Sequence, residues 1–96
     1  MARKKLYIIC YDIEHNKRRT KFAKFLEDEG GERSNYSVFE LMLSKKEYAR
    51  ILTKVPEYIS PKRDRIAIYP VCKQCYKFTE YIPEFGPMPA KAIIEA

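Results

Sequence analysis

Apolar and polar positions along the first half of the chain follow two periods. Residues 6–13, LYIICYDI, form a β-branched and aromatic run too short for a buried helix, which predicts an interior strand. Alternation divides its faces: Leu6, Ile8, Cys10 and Asp12 point one way, and Tyr7, Ile9, Tyr11 and Ile13 the other. Asp12 therefore ends the strand on an apolar face. From Asn16 as N-cap, the period changes to that of a helix reaching about Glu29, with Phe22, Phe25 and Leu26 as its apolar stripe and Gly30 as its stop.

Residues 33–43 predict a second strand, longer than the first. Ser44-Lys45-Lys46-Glu47 then has the form of a capping box, and Tyr48, Ile51, Leu52 and Val55 recur at the spacing of one helix face until Pro56 ends it. A loop around Ser60-Pro61-Lys62-Arg63 leads to a strand over residues 65–71, a turn at Cys72 to Cys75, and an alternating edge-like strand over 76–82. Beyond it lie Pro83, Pro87 and Pro89 and a short β-capable Ala92-Ile93-Ile94. The expected fold is α+β in the split-βαβ or ferredoxin-like order (strand, helix, strand, strand, helix, strand), an antiparallel sheet with both helices on one face, although the segments as assigned run strand, helix, strand, helix, strand, strand. Residues 1–82 make the domain and 83–96 a tail. The second sheet face is most economically buried against another copy of the chain.

Composition narrows the class without choosing within it. A chain of 96 residues, 46% hydrophobic and 33% charged with three glycines, supports one domain and one small core. No apolar stretch approaches a membrane span and no cleavable leader is recognisable, so a cytoplasmic protein is expected. Three cysteines do not pair evenly, which suits a reducing compartment. The net charge of +6 favours polyanionic partners.

The charges around the first helix sharpen that preference. Lys17, Arg18 and Arg19 crowd the positive end of its dipole and Glu27, Asp28 and Glu29 the negative end, an inversion that makes sense if a phosphate completes the site. Asp12 is either a carboxylate that hydrogen-bonds its loop or a metal ligand. Mg2+ needs only one or two protein carboxylates, so one Asp12 from each of two protomers could share an ion. His15 is a proton shuttle or a loop residue. Cys72-Lys73-Gln74-Cys75 reads as a structural turn, although its spacing is also that of half a zinc knuckle or a redox pair. Tyr36 and Phe39 are core residues or base-stacking platforms.

One stretch is specific. Gly31-Glu32-Arg33-Ser34-Asn35-Tyr36-Ser37-Val38-Phe39-Glu40 resembles the G-E-R-x-x-Y-S-V-F-E signature of the CRISPR-associated protein 2 family. Tyr11-Asp12-Ile13, Arg18-Arg19-Thr20-Lys21 and Ala67-Ile68-Tyr69-Pro70-Val71-Cys72 are similar to its other conserved stretches, so the resemblance runs from residue 6 to about 75. It implies a ferredoxin-like homodimer with sheets packed together, a C-terminal strand exchanged between protomers, and a role in CRISPR adaptation bridging dimers of the CRISPR-associated protein 1 integrase on DNA. It also implies magnesium-dependent cleavage of single-stranded RNA or duplex DNA. Carried over by position, Asp12 becomes the catalytic metal ligand, Lys17, Arg18, Arg19 and Arg33 nucleic-acid contacts, and Ser37 and Phe39 secondary site residues. Two other readings remain: a toxin-like endoribonuclease similar to virulence-associated protein D, and a passive RNA-binding domain that would need neither Asp12 nor a metal.

Overall fold

The computed structural model describes residues 3–80 and 82. The tail 83–96, with its expected exchanged strand, lies outside the described residues. Eight residues, Lys5–Asp12, form β1, followed by helix α1 (Asn16–Asp28), strands β2 (Glu32–Asn35) and β3 (Val38–Leu43), helix α2 (Lys45–Lys54), a 3-10 turn (Val55–Glu57), strand β4 (Arg65–Val71) and a short helix α3 (Lys73–Lys77). The four strands form one sheet in the order β2-β3-β1-β4. Every neighbouring pair is antiparallel, with β1 in the interior between β3 and β4.

Parity along β1 divides the molecule. Tyr7, Ile9, Tyr11 and Ile13 are buried with Phe22, Ala23 and Leu26 of α1, Ile51 of α2 and Phe39, Leu41 and Leu43 of β3. Both longer helices therefore pack on that side. Much of this core is aromatic: Tyr7 stacks on Tyr48 at 4.3 Å, Tyr11 meets Phe22 edge-on at 5.1 Å, and Phe25 stacks on Tyr58 at 4.8 Å. On the other face Ile8 and Cys10 are half-buried, and Met42 and Tyr69, on the flanking strands, are exposed.

Several expectations change. Residues 33–43 are not one strand but a hairpin, closed by Tyr36 and Ser37. No residue with a side chain has positive φ among the described residues, so the turn is not of the glycine-requiring mirror-image kind. A register shift between Arg33 and Asn35 and a bond from the Tyr36 amide to Asn35 Oδ1 accommodate it instead. The expected strand at 76–82 is absent among the described residues there: α3 runs to Lys77 and the residues after it are irregular. His15, not Asn16, is the N-cap of α1, and its side chain makes no capping bond. Leu52 lies off the buried stripe of α2, 45% exposed. The capping box holds in both directions, with Ser44 Oγ accepting from the Glu47 amide at 3.2 Å and Glu47 accepting from the Ser44 amide at 2.8 Å.

Candidate functional site

Asp12 closes β1 opposite Arg65 of β4 and is exposed on the face the longer helices leave open. Among the described residues no salt bridge engages its carboxylate. It lines an open groove of about 580 Å³ with Cys10, Asp64, Arg65, Ile66 and Ala67. The second carboxylate of that groove is committed elsewhere. Asp64 accepts from the amides of Glu14 at 3.2 Å and Ser60 at 2.8 Å, and from Arg18 Nε at 3.0 Å and Nη2 at 3.3 Å.

That cluster explains why one of the cations, Arg18, stands at the start of α1. Arg18 is the counter-ion of a buried carboxylate from the loop before β4, and its hydrogen bonds, with those of the Ser60 amide, hold the Asp64 carboxyl at about 2, below its ordinary value. The inverted dipole thus has a structural cause at Arg18, beside the expectation that a phosphate completes the site. Asp64 was missed in the sequence. Its only local signal is a lone acid in Lys62-Arg63-Asp64-Arg65, and its partner is 46 positions away.

The other expected nucleic-acid contacts divide by position. Lys17 is exposed on the first turn of α1 with no salt bridge among the described residues, and His15 is exposed just before it. Arg19 donates to the Ile13 carbonyl at 3.1 Å and to the Asn16 side chain. With Lys24, Arg33, Tyr36 and Ser37 it lines a separate groove of about 740 Å³ between α1 and the hairpin. Arg33 sits 5.2 Å above the Phe39 ring and 4.0 Å from Glu27. Phe39 is fully buried, so it carries Arg33 and has no face for a base; Tyr36, 55% exposed, does. Ser37 contributes its carbonyl to the Tyr11 amide at 3.0 Å, and the Tyr11 hydroxyl donates to the Tyr36 carbonyl at 3.0 Å. Burial pushes the Tyr11 phenol above its ordinary range, against the opposing pull of Arg33 and Arg19.

The structure therefore presents two separate features, the Asp12 end of the open sheet face and the basic groove beside α1, joined by the helix start. No group of three or more metal-ligating side chains exists among the described residues. The described residues of one chain do not enclose an ion. What it offers is a single hard oxygen donor set at an accessible strand end, which suits Mg2+ completed by waters, phosphates or a second chain, and not a soft-metal cage.

Comparison with known proteins agrees over most of the chain. The family model described as CRISPR associated protein Cas2 matches residues 5–78. The CRISPR-associated endoribonuclease Cas2 4 of Rhodospirillum rubrum is 48% identical over 69 residues, 72% of this chain and 55% of that protein, so the match spans little more than half of that relative's length. Among solved structures, Streptococcus pyogenes Cas2 superposes with a TM-score of 0.70 at 27% identity, covering 79% of this chain and 96% of that one. A chain of a partial Cas6-RT-Cas1–Cas2 complex does so with a TM-score of 0.68 at 31% identity, covering 86% and 88%.

Proposed function

The chain belongs to the CRISPR-associated protein Cas2 family, and from that membership we propose that it is a nucleic-acid-binding subunit of CRISPR adaptation that works as a homodimer bridging dimers of the integrase. We further propose that it is a magnesium-dependent endonuclease acting on RNA or DNA through Asp12. The integrase partnership is supported by the likeness to a chain from a Cas1–Cas2 assembly. The strand order with alternating directions supports a ferredoxin-like protomer. The open face, with Ile8, Met42 and Tyr69, supports a second copy packed sheet to sheet.

The observation that carries the catalytic reading is the contrast between two neighbouring aspartates. Asp64 is buried and saturated by hydrogen bonds, whereas Asp12 is exposed with no salt bridge among the described residues, on the face through which two copies would meet. A bound Mg2+ would polarise a phosphodiester and acidify a water there. The chain's own part is to hold the carboxylate at a fixed strand end, while Lys17 and Arg19 at the start of α1 and Arg33 across the neighbouring groove bind phosphates and orient the strand.

Asp12→Asn keeps the shape and removes the charge. It is expected to abolish Mg2+-dependent cleavage while leaving dimerisation and metal-free nucleic-acid binding intact, in a nuclease assay with and without Mg2+ run beside an integration assay. Full cleavage by the variant would overturn the catalytic role, and lost integration by a well-folded dimer would overturn the separation of scaffold from chemistry. Lys17→Ala with Arg19→Ala should flatten the dependence of log affinity on log salt by roughly one for each phosphate no longer neutralised. An unchanged slope would return both to a solvated face.

A further inference from the structure

Immediately beyond β4 the chain enters α3 through Cys72, its N-cap residue with φ −69° and ψ 159°. Cys72 Sγ accepts from the Cys75 amide at 3.2 Å, the same relation of N-cap side chain to third-residue amide that Ser44 and Glu47 make in α2. At this helix start both residues carry sulfur. Both side chains are exposed, whereas Cys10 is only partly so.

We propose that Cys72 and Cys75 form a redox-active dithiol whose oxidising substrates are small-molecule disulfides. The Cys72 thiolate attacks one sulfur of the small disulfide, forming a mixed disulfide and expelling one thiolate. Cys75 gives its proton to solvent and attacks Cys72 Sγ, which closes the Cys72–Cys75 bond and expels the second thiolate. The protein dithiol loses two electrons and the small disulfide gains them.

Three observations assign these roles. The Cys75 amide, 3.2 Å from Cys72 Sγ, stabilises a thiolate on Cys72 and draws that thiol below its ordinary pKa, while the neighbouring Cys72 sulfur pushes the Cys75 thiol up. Cys72 is therefore the attacking sulfur and Cys75 the resolving one. Cys72 Sγ already lies 3.2 Å from the Cys75 amide at the start of α3, so both sulfurs stand at one helix start and a local adjustment of the N-cap residue closes the bond. No group of three or more ligating side chains occurs among the described residues, so within them the pair has no further donors for a tetrahedral zinc site.

The dithiol is also remote from Asp12. Val71, beside Cys72, pairs with Leu6 at one end of β1, and Arg65 pairs with Asp12 at the other, about 20 Å away at strand rise. Its chemistry can be followed without reference to cleavage.

The test treats the full chain with glutathione disulfide, alkylates the remaining thiols and maps the peptides by mass spectrometry. Wild type should give a Cys72–Cys75 link with Cys10 still alkylated. Cys75→Ser should stop at a glutathione adduct on Cys72, and Cys72→Ser, which keeps a capping oxygen, should react at Cys75 about tenfold more slowly. Unlinked adducts on both cysteines of wild type, disulfides joining separate chains, or zinc retained through gel filtration that shields both thiols would each overturn the proposal.

Discussion

An aspartate that accepts four N–H bonds has little capacity left for a metal, and that is the condition of Asp64. Its hydrogen bonds tie the loop after β1, the first turn of α1 and the loop before β4 into one corner, which fixes the strand end where Asp12 stands. Because its folded pKa of about 2 lies below the ordinary aspartate value, the unfolded chain binds the proton more readily. The stabilisation is complete above pH of about 4 and disappears as the pH falls through about 2. Urea midpoints across this window should therefore fall with acid in wild type, while Asp64→Asn should be less stable at neutral pH and lose that slope. Parallel profiles for the two proteins would show that the cluster carries no linkage. At this scale the sequence placed Asp12 at a strand end, because strand parity is local, and did not reveal that Arg18 is paired with Asp64, because that partner is set by tertiary structure.

Helix ends obey rules that are visible in sequence, and α1 shows their reach. Its C-terminus closes with the Gly30 amide on the Glu27 carbonyl at 3.0 Å and the Gly31 amide on the Leu26 carbonyl at 2.8 Å, a Schellman pair with Gly30 at φ +93°. Gly31 has a different constraint: a Cβ there would lie 2.8 Å from the Leu26 carbonyl oxygen and 3.0 Å from Leu41. Gly30→Ala should cost about 1–2 kcal/mol from the backbone alone. Gly31→Ala should also destabilise, by about 1–3 kcal/mol, through displacement of α1 from β3. Denaturant titration of both variants checks this; a neutral Gly31→Ala would mean that the helix end shifts freely. The stop at Gly30 and the box at Ser44 were legible because their chemistry is local. The hairpin was not, since its turn uses Tyr36 and Ser37 without glycine or proline, and alternation continued across it. The last expected strand failed for a related reason: Tyr76 and Phe78 suit a strand by pattern, but the Cys72 cap starts a helix first.

Among the described residues, the side of the sheet away from the two main helices carries exposed Met42 and Tyr69 and half-buried Ile8. Light scattering at micromolar concentration and physiological salt should give twice the chain mass, and Met42→Asp should shift it toward a single chain. A wild-type monomer would contradict the sheet-to-sheet pairing. The interior place of β1 also sets the order of events during synthesis. This strand is made first, yet one edge waits for β3 and the other for β4, with Leu6 meeting Val71 across nearly the whole described chain. A nascent chain that has not yet reached Val71 holds an apolar strand with an unpaired edge, open to pairing with a neighbouring chain on the same messenger. Closure of the sheet is thus a late event, and the time between making β1 and making β4 is when this protein is most exposed to misassembly.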